Sequence, residues 1–250
     1  MRRLLACLAG LTTLSAGAAD IGVLPVGLSL TARQDRQAIT VTNNGKEPVV
    51  MQVETVAWTQ SAGVDQYIAT QDLLVNPPLF SMAPGQSQIV RVGLRQPQQS
   101  GREVAYRLFL REVPSVSASP PGASAEAAEQ GDAQQIEVLL ELRLPIYVAP
   151  ANALPAQQWR ARRTPDGNIA VEVVNTGNVH LVVAELRLRA ADAPTATPPF
   201  ATLKASNTVL PGQSRHWEVG PEPAATGQHI ALEVVTDHGS QHVALDLGSN

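Results

Sequence analysis

The stretch ITVTNNGKEPVVMQVE, residues 39–54, decides the fold class of this 250-residue chain. It contains a run rich in β-branched residues, a turn built on Asn43 and Gly45, and a second run of the same kind. Short runs of Val, Ile and Thr separated by Asn and Gly are typical of paired β-strands. The same arrangement returns as VEVVNTGNVHLVVAEL, residues 171–186. The chain therefore carries a repeated strand–turn–strand unit.

A second motif follows each copy. APGQSQIVRVG, residues 83–93, corresponds to LPGQSRHWEVG, residues 210–220. Pro84 is thus repeated at Pro211, an offset of roughly one sandwich domain of about 100 residues. Chance recurrence of Pro-Gly turns explains two motifs in the same order less well than a repeated fold does. We predict two tandem immunoglobulin-like β-sandwiches, joined near VAPANALP, residues 148–155.

The remaining sequence predicts an all-β protein. Short apolar runs alternate with Pro, Gly and Asn clusters, as in a sandwich. Beyond the first residues no long segment has helical period, and the Ala-rich residues 123–129 lie among Pro, Gly and Ser, which predicts a loop. The candidate strands are residues 37–43, 49–58, 87–94, 105–113, 136–144, 168–175, 180–188, 214–219, 229–235 and 242–247.

The first residues, MRRLLACLAGLTTLSAGAAD, predict a secretory signal peptide over residues 1–19. Two arginines precede an apolar run, and small residues end it at Ala19. Cys7, the only cysteine, lies inside this segment, so the exported product needs no disulfide in an oxidising compartment. We expect a bacterial periplasmic protein, with domains over residues 20–148 and 152–250.

Charge and motifs exclude several function classes. A net charge of -4 gives no support to nucleic-acid binding, and no later stretch predicts membrane insertion. His238 and His242 lie about 13 Å apart on a strand and cannot share one zinc ion there. There is no nucleophile elbow, phosphate loop or zinc-protease motif. We expect no enzyme activity, no metal and no cofactor; a sandwich hydrolase with an unrecognised site is the weaker alternative.

IEVLLELRL, residues 136–144, has an apolar face, but alternation alone does not show which protein buries it. The strand either fills the protein's own core or is lent to another chain. The preceding residues 115–135 are polar and long for a hairpin connection, which usually takes about two to five residues. We expect them to form a mobile loop. The apolar face consists of Ile136, Val138, Leu140, Leu142 and Leu144.

Three longer motifs resemble the first domain of the periplasmic pilus-assembly chaperones typified by PapD. They are LLVNPPLFSMAPGQSQIVRVGLR, EVAYRLFLREVP and LRLPIYVAP. VTDHGSQHVALDL, residues 235–247, extends the resemblance into the second domain. Trp58, the Tyr106–Arg107 pair and Pro145 resemble the archaic, Csu-like branch.

This resemblance implies a function without catalysis, performed by two immunoglobulin-like domains in an L-shaped arrangement. Such chaperones cap unfinished pilus subunits by inserting an edge strand, a mechanism called donor-strand complementation, and pass them to an outer-membrane usher. The expected donor strand covers residues 136–144. Ile136, Val138 and Leu140 align with the family's donor positions, and Leu142 and Leu144 extend the row. The alternative is a secreted structural or adhesive module that buries this row in its own fold.

The resemblance also implies an anchor for the subunit's terminal carboxylate. PapD-like members use an arginine and a lysine, but those positions are Gly27 and Pro145 here. Arg107 matches the arginine of the archaic branch and is the expected substitute, with Arg143 as a reserve. The alternative is that both are solvated surface arginines.

The family's interdomain ion network implies a role for two acids, Glu112 and Asp237. The arginine that joins them in relatives falls at Ala149. Exposed acids at strand ends are the alternative interpretation.

Overall fold

A computed structural model describes residues 20–97, 100–114, 138–191, 197–220 and 228–248. The predicted signal peptide, the expected loop over residues 115–135 and the donor residue Ile136 lie outside these ranges. Within them no helix is long and apolar enough to span a bilayer. The regular elements there are strands, as predicted.

Ten of the described strands build the first domain. They form a four-stranded sheet in the order β1-β3-β8-β6 and a second sheet in the order β2-β10-β9-β4-β5, with β7 also pairing with β4. Their bounds are β1 Ile21–Leu24, β2 Leu28–Leu30, β3 Arg36–Asn43, β4 Val49–Ser61, β5 Val64–Ala69, β6 Leu73–Asn76, β7 Leu79–Met82, β8 Ser87–Leu94, β9 Val104–Glu112 and β10 Glu141–Val148. Apolar side chains from both sheets form one core between them, which includes Leu30, Ile39, Met51 and Leu108.

Within the described ranges, seven strands build the second domain, in the sheet order β14-β13-β16-β17-β11-β12-β15. Their bounds are β11 Gln157–Arg163, β12 Ile169–Asn175, β13 Leu181–Ala190, β14 Ala201–Val209, β15 Ser214–Val219, β16 His229–Thr236 and β17 Gly239–Gly248. A separate core, which includes Ile169, Leu186 and Leu232, holds these strands together. The fold is the predicted pair of β-sandwiches.

The repeated turns have the same hydrogen bonds in both domains. The side-chain amide of Asn43 donates to the carbonyl of Glu47 at 2.8 Å, and that of Asn175 donates to the carbonyl of Val179 at 2.8 Å. Each also donates across its sandwich, Asn43 to Met82 and Asn175 to Val209. The two asparagines are 0% and 1% exposed, so these bonds satisfy buried polar groups.

The Pro-Gly turns repeat as closely. Gly85 and Gly212 have φ values of 74° and 77°, a left-handed conformation that favours glycine. Their backbone N–H groups donate to the carbonyls of Asn43 and Asn175 at 2.8 and 2.9 Å. The two sequence motifs therefore form one connected structural unit in each domain.

The prediction for the last strand of the first domain needs a correction. Residues 136–144 were expected, but β10 begins at Glu141 and continues through Pro145 to Val148. Proline is tolerated there because Pro145 faces Arg107 in a pair that exchanges no ladder hydrogen bonds, so β9 loses no donor. The sequence pattern also missed β1, β2, β5, β6, β7, β11 and β14, which are short or lack clear apolar alternation.

Candidate binding edge and interdomain cleft

Strand β10 has one side that is only partly occupied. All eight of its residues pair with β9, whereas β2 pairs only with Ile146, Tyr147 and Val148 on the other side. Among the described strands, none pairs with residues 141–145 on that second side. Because the backbone N–H of Glu112 donates to the carbonyl of Leu140, alternation points the backbone groups of Glu141 and Arg143 toward the open side. This open edge offers hydrogen bonds to another strand.

The predicted apolar row changes its exposure along the chain. Val138 is 59% exposed, Leu140 is half-buried, and Leu142 packs partly against the core of the first domain. Leu144 is 7% exposed and belongs to that core. We therefore remove Leu144 from the predicted donor set, because a side chain in its own core cannot at the same time fill a partner's groove.

A charged network fixes the start of β10 on the opposite face of the sheet. The Arg111 Nε donates to Glu141 at 2.7 Å and the Arg143 Nε donates to the same carboxylate at 2.6 Å, while Arg111 also bonds to Glu54. These hydrogen bonds lower the pKa of Glu141, with Arg111 as the larger cause. Arg143, the reserve anchor, has a side chain that is 56% exposed and already forms an ion pair with Glu141.

Arg107 lies beside the two positions where the expected clamp is missing. It faces Pro145 across the β9–β10 ladder, and a Cβ atom on Gly27 would lie 3.1 Å from the Pro145 ring. The three positions are therefore neighbours, and only Arg107 carries a charge. Its guanidinium carbon lies 3.7 Å from the centroid of the Trp58 ring. The structure thus places the Arg107 guanidinium beside Pro145 and Trp58.

An aromatic cluster joins the two domains next to Arg107. Trp58, Ala105 and Tyr147 from the first domain pack with Leu210 from the second. The Tyr147 ring also stacks on His180 with ring centroids 3.7 Å apart. Burial in this cluster raises the pKa of the Tyr147 hydroxyl. A buried tyrosine whose ring stacks on a residue of the other domain indicates a closely packed junction.

One polar contact across the junction involves a residue that sequence reasoning missed. Glu103, immediately before β9, accepts a hydrogen bond from the backbone N–H of His180 at 3.0 Å, and its carboxylate lies 2.8 Å from His180 Nδ1. The Glu103 side chain is only 4% exposed. Nothing in the local sequence identifies this pair, because its members come from different domains.

The interdomain role predicted for Glu112 is corrected by this geometry. Glu112 lies at the other end of β9, roughly 26 Å from Val104 at about 3.3 Å per residue. Its carboxylate accepts a hydrogen bond from the backbone N–H of Leu140 at 3.1 Å, so it supports the approach to β10. Asp237 lies near the junction, where its charge contributes to the raised pKa of Tyr147.

Comparison with known families identifies the chain. Residues 21–154 match the family described as "Pili and flagellar-assembly chaperone, PapD N-terminal domain". The chain belongs to this family. This pilus-assembly chaperone is therefore a member of a non-enzymatic class of proteins.

Solved structures share its fold at low sequence identity. A chain of the CsuC–CsuE chaperone–tip subunit complex from archaic Csu pili of Acinetobacter baumannii aligns with a TM-score of 0.63 and 16% identity, covering 91% of this chaperone and 98% of that chain. The E. coli chaperone DraB gives 0.57 and 16%, with coverages of 94% and 99%. The Salmonella enterica SafA pilin–SafB chaperone complex gives 0.56 and 17%, with coverages of 91% and 96%. A search of curated proteins gave no match.

Proposed function

We propose that this chaperone works in the periplasm, where it binds and caps pilus subunits by strand donation and delivers them to an outer-membrane usher. Residues 1–19 would direct its export. The solved complexes named above pair chaperones with a tip subunit and a pilin, which favours a pilus subunit as the guest. The family assignment supports the same class of function.

The half-open edge of β10 carries this proposal. Along it, the apolar row passes from exposed Val138 through half-buried Leu140 and Leu142, beside backbone groups that no described strand pairs with. Burying one aliphatic side chain contributes about 1.5–3 kcal/mol before ordering costs are subtracted. Main-chain hydrogen bonds to Glu141 and Arg143 add register. An apolar edge without a guest would promote aggregation, so a capped state is the physically reasonable one.

The donor set in this proposal is shorter than the one expected from sequence. It consists of Ile136, Val138, Leu140 and the half-buried Leu142. Leu144 fixes the strand in the first domain instead, because its side chain belongs to that core. A strand that is packed into its own core at one end and exposes apolar side chains at the other can pair with its own sheet and with a subunit's sheet at the same time.

Arg107 is the proposed anchor for the terminal carboxylate of the subunit. A partly buried carboxylate needs charged hydrogen-bond donors, and an arginine provides two parallel ones. Arg107 lies on the same face as Pro145, where the open edge ends. Arg143 is less suited, because its Nε is bonded to Glu141.

Serine substitution of Ile136, Val138 and Leu140 tests strand donation. We expect the tagged variant to lose capture of the pilus subunits of the same organism, co-expressed in the periplasm, while its melting temperature stays close to the wild-type value. The described side chains in this set contribute little to the protein's own core, which is the reason for the unchanged stability.

A matched control lies on the opposite edge of the same sheet. Val64 and Ile68 in β5 are 63% and 57% exposed, so serine at these positions removes similar apolar surface. This control should capture subunits as the wild type does. Normal capture by the donor-strand variant, or its failure to fold, would contradict the proposal and favour a structural strand.

A further inference from the structure

The guanidinium of Arg107 rests on an aromatic face. Its central carbon lies 3.7 Å from the Trp58 ring centroid, a distance at which a cation and an indole attract each other. Its Nε is buried and has no hydrogen-bond partner among the described residues. Arg107 as a whole is half-buried, so its side chain is not sealed from solvent. The stacked side chain therefore keeps its donors for an outside acceptor.

The second domain holds the ring that supports Arg107. Trp58 is 2% exposed and packs with Tyr147 and Leu210. Two residues further along the same face of β4, the Gln60 side chain donates to the carbonyl of Thr208 at 2.9 Å and accepts from the backbone N–H of Leu210 at 2.9 Å. Movement of the residue 208–210 segment would therefore move the ring.

We infer that Trp58 is a positioning residue for the carboxylate anchor, and that through Trp58 the second domain sets the affinity of Arg107 for the subunit terminus. This inference rests on the proposed strand donation. A freely rotating arginine loses more side-chain entropy when it binds a carboxylate than one whose plane is already fixed. The ring fixes this plane, and Leu210 fixes the ring.

The test uses the terminal strand of the subunit that the wild-type chaperone captures, synthesised with a free carboxylate and as its amide. The ratio of the two dissociation constants isolates the anchor from the strand pairing. We expect the wild type to prefer the acid by about tenfold or more, as for hydrogen bonds to charged groups. Arg107→Ala should bring the ratio close to one and leave amide binding unchanged.

Trp58→Leu should reduce the acid preference by about threefold or more, the loss expected for a cation–π contact. It should not alter binding of the amide peptide. A merely structural role for Trp58 would instead weaken binding of both peptides equally. Trp58→Phe should retain most of the preference because a phenyl face remains, and Leu210→Ala should lower it in the same direction as Trp58→Leu. An unchanged ratio in Leu210→Ala would overturn the coupling to the second domain.

Phe109→Leu is the matched control. The Arg111 guanidinium carbon lies 4.5 Å from the centroid of the Phe109 ring, on the same face of β9. Its acid preference should equal that of the wild type. A full preference in Trp58→Leu, or equal weakening of both peptides, would overturn the positioning role. A full preference in Arg107→Ala would overturn the anchor itself. Failure of the wild type to capture any subunit would refute the proposed function and this inference with it.

Discussion

The last strands of the two domains share one topology and differ in their side chains. β10 runs antiparallel to β9 along its whole length and parallel to β2 only at its end. β17 runs antiparallel to β16 and pairs in parallel with β11 only at Leu247 and Gly248. In both domains, the beginning of the last strand is therefore paired on one side only. The half-open edge is a property of the fold.

The apolar row belongs to the first domain alone. The approach to β10 presents exposed Val138 and Leu139, whereas β17 begins with exposed Ser240, Gln241 and His242. The Gln241 side chain is also hydrogen-bonded to Gln157 of β11, which connects the two strands where their ladder is absent. An open edge thus becomes a candidate binding surface only where its side chains favour burial by a partner.

The strongest test of this comparison separates core residues from edge residues. Leu144 and Leu245 are 7% and 8% exposed in corresponding parts of the two last strands. Leu144→Ala and Leu245→Ala should each lower the free energy of unfolding by about 2–5 kcal/mol, because each leaves a cavity. Val138→Ala should change it by less than about 0.5 kcal/mol. Denaturant unfolding measures all three, and a large loss for Val138→Ala would mean that its side chain is part of the core.

A second test asks whether the two domains share one turn. Asn43→Ala and Asn175→Ala should each lower the free energy of unfolding by about 1–3 kcal/mol, since each leaves buried carbonyls without a donor. Asn44→Ala is the control, because Asn44 is exposed and should change the stability by less than about 0.5 kcal/mol. Clearly unequal losses in thermal or denaturant unfolding would break the equivalence of the two turns.

The smallest effect concerns the charges at the start of β10, which β17 lacks. Hydrogen bonds from Arg111 and Arg143 lower the pKa of Glu141 in the folded state. A lowered folded pKa means that the stabilisation is present above the unfolded value of about 4.3 and is lost as the pH falls further. For this solvent-screened site we expect less than about 1 kcal/mol. Glu141→Gln should be less stable than the wild type at pH 7, and a difference that persists at pH 2 would contradict the ionic origin.

Local patterns predicted much of the fold but not its exact strand ends. The repeated Asn43 and Asn175 turns were predictable because each asparagine bonds to a carbonyl four residues away. The predicted strand ended at Leu144, but β10 continues through Pro145, which occupies a pair without ladder bonds to β9. Strand β5 was missed because its residues are exposed almost throughout, so it carries no apolar alternation.

The candidate site was less predictable. Sequence reasoning found the apolar row through alternation and Arg107 through family resemblance, but it missed Glu103 and His180. It also assigned Glu112 to the domain junction, although Glu112 lies at the far end of β9. A motif match does not show which end of a strand meets the other domain. Interdomain contacts join residues far apart in the chain, such as Gln60 and Leu210, and leave no local spacing to recognise.

The amino-acid sequence alone predicts that this chain forms strands joined by Asn- and Pro-Gly-based turns, in two copies. Those preferences depend on backbone conformation and alternation over a few residues, which the local sequence encodes. The folded structure alone shows that Leu144 is covered by its own domain while Val138 is exposed, and that the Trp58 ring beside Arg107 packs against Leu210 of the second domain. Alternation assigns a side chain to a face, but the packing of distant strands determines what covers that face.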